Sequence, residues 1–408
     1  MTNVILFDDD IRDHLLPLTY TKPVGNLRIG ILTIKEKWEL ALNAKASHIT
    51  QDYLSAKYKI NIEDKNLVIN GSVLPSFHLK RLISQLEENE ALLLNGDLIA
   101  AYLNRVQFDH LISNEDIDEL AGFEVGDTPF LKINRLTDIF TLNDKAIEAD
   151  YEVLTKERFS QDIPNFVQAV CPENIFIEQG VEISPCILNA SNGPIYIGKN
   201  AKILDGAMLR GPIAILDHAV VKMGAKIYGG TTIGPYCKVG GEVSNVVFQS
   251  YSNKGHDGYL GNSVIGEWCN LGADTNCSNL KNNYADVKLW SYEKESFSTT
   301  GLQFCGLIMG DHSKCGINTM FNTGTVLGVF DNLYGAGYPR NFVPSFSWGG
   351  PGAGYKTYKL DKAFDTATKV MKRRNITLDD IDKNILTEVF DLSSKFRSWE
   401  KEAAPSRP

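Results

Sequence analysis

Hydrophobic and polar positions fall into three regimes along the chain. Near the amino terminus Val4, Ile5, Leu6 and Phe7 form a short apolar run that ends on Asp8, Asp9 and Asp10, which predicts a strand entering a polar turn. Residues 31–46 mix apolar and charged side chains as a helix would, Leu67, Val68 and Ile69 run into Asn70 and Gly71, and residues 77–88 again suit a helix. Ala91, Leu92, Leu93 and Leu94 then feed Asn95, Gly96 and Asp97, the pattern expected where a buried parallel strand ends in a polar turn. This alternation predicts an α/β domain with a Rossmann-like sheet over residues 1–165.

Turn-forming residues at 162–165 and 171–172 mark a change of period. Ile177 and Ile183, then Ile203, Leu209 and Ile215, then Ile265 and Leu271, recur at intervals of six. Met309, Cys315, Phe321 and Leu327 continue the same interval. That period predicts an all-β solenoid over residues 166–350, in which each apolar side chain points inward and Gly or Asn residues turn the chain. Residues 248–259 and 279–300 break the rhythm and are expected to be loops. After the Gly-rich stretch 349–352, residues 351–408 predict a helical extension that covers the solenoid edge, with helices over 360–374 and from Thr377 onward.

Composition narrows the function. Forty-one basic and fifty acidic side chains give a formal charge of −9, which disfavours a nucleic-acid-coating protein. The Lys372, Arg373, Arg374 triplet accordingly reads as solvated helix charge. Seven cysteines without a CxxC pair suit a reduced, cytoplasmic protein. No apolar run approaches the ~18 residues of a membrane span, so no membrane partner is expected.

Chemistry gathers in two places. Asp97 can ligate magnesium or simply occupy a turn, while Arg12 and Lys22 can neutralise phosphate or stand as solvated charges. In the second regime, residues 254–261 read Lys-Gly-His-Asp-Gly-Tyr-Leu-Gly. His256 there can act as general base or as a hydrogen-bonded structural histidine. Lys254 can hold an acceptor phosphate and Tyr259 can orient the acceptor, or both can be surface or packing residues. Gly255 and Gly258 would allow close backbone approach.

The stretch from Phe7 to Arg12, with Pro17, Leu18, Thr19, Lys22 and Pro23, and the Asn95-Gly96-Asp97 turn resemble the sugar-phosphate nucleotidyltransferase family. The resemblance implies that Arg12 and Lys22 contact nucleotide and that Asp97 binds Mg2+. It further implies that a sugar 1-phosphate attacks a nucleoside triphosphate such as UTP. The acidic triplet stands where that family has a glycine-rich loop. The six-residue repeats resemble the left-handed hexapeptide acyltransferases, which implies a left-handed parallel β-helix, an acyl-CoA donor such as acetyl-CoA, and a homotrimer. The motif around His256, with Asn270 and Asn279 downstream, resembles the bifunctional N-acetylglucosamine-1-phosphate uridyltransferases. By that likeness His256 is catalytic, and Lys254, Tyr259, Asn270 and Asn279 bind an amino-sugar phosphate. The chain departs from the pattern at Ser244, where a lysine is expected twelve residues before the histidine, and at residues 280–282. Nucleotidyl transfer on a structural β-helix, or sugar-nucleotide sensing without turnover, are the alternatives.

Overall fold

A computed structural model describes residues 3–112 and 120–402. It contains the three parts expected: an α/β portion, a parallel β-solenoid and carboxyl-terminal helices. Two compact units divide the chain. The first takes in residues 1–15, 22–27 and 32–135, and the second takes in 16–21, 28–31 and 136–408.

The first unit is built on strands β1 (Asn3–Phe7), β2 (Ala46–Ile49), β3 (Lys65–Asn70), β4 (Glu90–Leu94), β5 (Asp97–Asn104) and β6 (Ala121–Glu124), in the order β2-β1-β3-β5-β4-β6. Ile5, Val68, Ala91, Ala101, Leu103 and Phe108 form a buried cluster on it. The helix Ile34–Leu42 starts at a reciprocal capping box between Thr33 and Glu36 and stops at Asn43, whose φ of 49° is left-handed.

The sheet is mixed rather than parallel throughout. β1 runs parallel to β2 and β3, but β5 runs antiparallel to both β3 and β4. Asn95-Gly96 is therefore a two-residue hairpin turn with Leu94 opposite Asp97, and both turn residues have positive φ, 52° and 87°. Asn followed by Gly fills the two left-handed positions of such a turn at little steric cost, which is why the chain reverses here. The helix expected over 77–88 covers Phe77–Ile83, capped by Ser76.

In the second unit three columns of short parallel strands stack coil upon coil. One column pairs Gln168–Val170, Ile187–Asn189 and Met208–Arg210, the next Ile175–Ile177, Ile195–Ile197 and Ile213–Ile215, and the third Glu182–Ile183, Lys202–Ile203 and Val220–Val221. A regular coil, as from Ile195 to Ile213 or from Lys202 to Val220, consumes three six-residue units, and the coils before it are longer. The recurrent positions Ile177, Ile203, Leu209, Ile215, Ile265, Leu271, Met309, Cys315, Phe321 and Leu327 all belong to one continuous buried core, with Ile183 packed against it.

Residues 248–259 are not an inserted loop. The strand Glu242–Phe248 passes without a break from the first column to the second, and Asn253–Lys254 continues the third. Asn245 and Asn262, with φ of 55° and 47°, turn these coils with a single left-handed residue, so the coil is shortened rather than interrupted. The expected loop at 279–300 is an excursion: Lys288–Ser291 and Ser296–Thr299 form a separate antiparallel hairpin, while Leu271 pairs directly with Cys315. Helices Leu360–Lys372 and Asp380–Leu392 follow the last coil, with Ala363, Ala367, Met371, Ile385, Leu386 and Val389 buried.

Candidate functional site

His256 lies in the short loop between Asn253–Lys254 and Tyr259–Ile265. Its side chain is exposed on the rim of an open cleft of about 540 Å³ that Lys222, Gly240, Gly241, Asp257 and Asp274 also line. Gly258 holds φ at 114°, and a Cβ there would come within 2.2 Å of the Thr275 carbonyl, so this corner requires glycine. Gly255 lines the same cleft and has open space where a Cβ would go.

Lys254 lies under that loop. It occupies an inward position of the third column, opposite Val239, and is 1% exposed. Its Nζ donates to the carbonyls of Gly240 at 3.2 Å and of His256 itself at 3.0 Å. Burial pulls the ammonium down to about 8, against the opposing pull of the Asp257 and Asp274 carboxylates. The lysine expected to reach an acceptor phosphate is thus spent on the backbone that carries His256.

Tyr259 and Asn279 meet. Asn279 Nδ2 donates to the Tyr259 hydroxyl at 3.0 Å and to Asn262 Oδ1 at 2.8 Å. A Cβ on Gly261 would clash with both side chains, at 2.3 and 2.6 Å, so glycine makes room for the pair. Asn276 Oδ1 accepts from the Tyr259 backbone N–H at 2.8 Å. Neither Asn262 nor Asn276 was legible as part of this network, because asparagine at a coil corner reads only as a turn former. Asn270 is exposed on the outer ladder between Asn253 and Lys314 and does not line the cleft.

Two of the acidic triplet, Asp8 and Asp9, are turned inward, while Asp10 is exposed. Asp8 accepts from the Val24 N–H at 2.9 Å and from the Thr50 hydroxyl at 2.6 Å, and burial raises its carboxyl to about 6. Asp9 accepts from the Ile11 N–H and from Asn70 Nδ2. Arg12 is buried, donating to Asp13 at 2.8 Å and to the Tyr53 hydroxyl at 2.6 Å, and Lys22 is buried as well. Asp97, by contrast, opens β5 with its side chain 70% exposed and the Lys132 ammonium 3.7 Å away. Magnesium there would find one carboxylate already faced by a cation, and among the described residues no group of three His, Cys, Asp or Glu side chains could hold a metal. A single carboxylate there suits magnesium only as a ligand shared with substrate phosphate oxygens and water.

All seven cysteines are free; six are buried, Cys171 being half-buried. Among the described residues no helix is long and apolar enough to cross a membrane.

Residues 4–159 match the sugar nucleotidyl transferase family. An uncharacterized acetyltransferase of Escherichia coli, YaiX, is 27% identical over 171 residues, covering 41% of this chain and 71% of that protein. The bifunctional protein GlmU of Streptococcus equi subsp. zooepidemicus is 29% identical over 155 residues, 32% of this chain and 34% of that one. GlmU of Thermus thermophilus is 30% identical over 132 residues, 26% of this chain and 28% of that one. In these alignments the chain spans about a third of the GlmU proteins. The chain is distantly related to sugar nucleotidyltransferases and to acetyltransferases of this kind.

Proposed function

We propose that the solenoid unit transfers an acyl group from an acyl-CoA, such as acetyl-CoA, to the amine of an amino-sugar phosphate, with His256 as general base. The observation that carries this reading is an exposed imidazole on the rim of a cleft, on a loop pinned from beneath by Lys254. The acceptor nitrogen forms a bond to the thioester carbonyl carbon while its proton passes to the imidazole. The carbon–sulfur bond then breaks, and the departing thiolate takes up that proton. No cysteine–histidine pair accompanies His256 in the cleft lining, so the direct transfer is preferred to an acyl-enzyme. Tyr259 and Asn279 would orient the acceptor from a shared hydrogen-bond network. Asn270, outside the cleft, meets the acceptor in this reading only where sites are shared between copies in a homotrimer.

The match over residues 4–159 favours a second activity in the first unit. There a sugar 1-phosphate oxygen would bond to the α-phosphorus of a nucleoside triphosphate such as UTP as pyrophosphate leaves, with Arg12 and Lys22 holding nucleotide. The reading assigns no step to magnesium at Asp97.

The test is mass spectrometry of products from sugar phosphates, acyl-CoAs and nucleoside triphosphates combined factorially. An acyl mass gain on an amino-sugar phosphate should require acyl-CoA and fall by about 10²–10⁴-fold in His256→Ala, the range for loss of a general base. Persistence of that product in the variant refutes the role of His256. Formation of nucleoside-diphosphate-sugar alone moves the activity to the first unit. Ligand binding without any product leaves a sensor or scaffold.

A further inference from the structure

Four cations from three stretches of the solenoid unit flank the third-column strand Lys238–Val239, one end of which meets the His256 cleft. Lys238 pairs with Val220 across the third column, and Lys222, two residues past Val220, lines the cleft itself. Arg374, just beyond the helix Leu360–Lys372, donates from Nη2 to the Tyr236 carbonyl at 3.4 Å, two residues before Lys238. Burial, and after it the charges of Arg374, Lys222 and Arg373, hold the Lys238 ammonium below its ordinary value. Among the described residues none of the four joins an ion pair. The cleft carboxylates Asp257 and Asp274 act on Lys254 and share the cleft lining with Lys222. Beside the cluster His218, exposed, stacks on Tyr236 at 4.6 Å, and Tyr236 on Tyr251 at 5.1 Å.

Arg374 holds the Tyr236 carbonyl and Arg373 caps a helix end, but cations crowded along this strand without an ion pair repel one another. Their mutual repulsion is relieved by an anion, and Arg and Lys side chains presented together suit phosphate oxygens. We infer that Lys238, Arg374, Arg373 and Lys222 form a binding site for the phosphate of a substrate whose reacting end lies at His256. The inference rests on the acyl-transfer reading for where the ligand reacts, not for whether it binds. Two substrate ends carry this chemistry: the phosphate of an amino-sugar acceptor and the adenosine 3′,5′-bisphosphate end of an acyl-CoA.

Isothermal titration of the full chain with glucosamine 1-phosphate and, separately, with adenosine 3′,5′-bisphosphate distinguishes the two. One of them should bind, and Lys238→Gln with Arg374→Gln should weaken it about tenfold or more, as loss of charge-assisted hydrogen bonds predicts. Thermal stability should hold or rise as repulsion is relieved. Lys222→Gln, at the cleft edge, supplies an independent and smaller loss. Lys226→Gln, on a lysine 3.9 Å from Glu242 and outside the cluster, should leave affinity unchanged. The inference is overturned if neither ligand binds, if the double variant binds as well as the parent, or if Lys226→Gln weakens binding equally. A ligand lost with the cluster but never acylated would keep the phosphate site and remove the acyl-transfer reading.

Discussion

At the residue scale, Lys254 shows how one side chain can serve a site without facing it. Its stem fills a buried position opposite Val239, and its ammonium satisfies two corner carbonyls, one of them that of His256. Replacing it with Met keeps the volume and removes the donors. The expected result is a modest stability change at neutral pH, within about 1.5 kcal/mol, because relief of a buried charge offsets two lost hydrogen bonds. Acyl transfer should fall at least about tenfold, since the His256 loop loses its anchor. A pH signature separates this lysine from a bland one. The folded value, about 8, lies below the ordinary 10.5, so between these the unfolded chain holds the proton that the folded chain has released. Stability should therefore rise with pH from about 8 to 10.5 in the parent, and that contribution should vanish in Lys254→Met. Urea unfolding at three pH values reads it; parallel pH dependence in both proteins would contradict it. The motif singles out this lysine but not its direction, because inward or outward follows from the register of its coil, and the coil here is shortened.

At the element scale, the six-residue recurrence was legible because each apolar residue fills the same inward place coil after coil. The recurrence failed where the coil length changed: a seven-residue strand with one left-handed asparagine looks in sequence like an insertion. The Asn95-Gly96 hairpin carried its own sequence signal, but four apolar residues before it also suit a buried parallel strand, and the period alone does not decide between them. A ring stack along one corner was hidden for the same reason as the shortened coils. His218, Tyr236, Tyr251, Trp268, His312, Phe330 and Phe346 stack in succession, every one at positive φ, yet their spacing in sequence is irregular. A bulky residue in the left-handed region costs about 1–2 kcal/mol, and stacking on two neighbours returns about 0.5–1.5 kcal/mol per contact. Tyr251, at φ 55° between Tyr236 and Trp268, tests that balance. Tyr251→Ala loses both rings and keeps the backbone strain, whereas Tyr251→Gly loses the rings and the strain together. Thermal denaturation should rank Tyr251→Gly above Tyr251→Ala by about 1 kcal/mol, the reverse of the order in a helix. The opposite order would mean that the corner carries no strain.

At the scale of the whole molecule, the chain is shared out between its two units in pieces that alternate along the sequence. The second unit takes residues 16–21 and 28–31 from the amino-terminal stretch and everything from 136 onward. Those short segments are stitched in by specific bonds. Arg28 and Gln249 exchange two, N–H to Oε1 at 2.7 Å and Nε2 to carbonyl at 3.0 Å. Thr21 donates to Asp311 at 2.6 Å, Gly30 N–H to Asn143 at 2.7 Å and Ile31 N–H to Asp150 at 2.7 Å, while Thr232 donates to the Gly30 carbonyl at 2.9 Å. All of these are buried, so removing one side leaves polar groups without partners at about 1–3 kcal/mol each. A fragment of residues 136–402 keeps every solenoid coil and both final helices, and by repeat logic alone it should be as stable as it is in the intact chain. The stitching predicts otherwise: its melting temperature should lie at least about 5 °C below that of the full chain's solenoid transition. Gln249→Ala in the full chain should reproduce part of that drop without any truncation. Equal melting of the fragment and the parent would show that the two short segments ride on the solenoid without supporting it, and the unit would then begin, energetically, where its repeats begin.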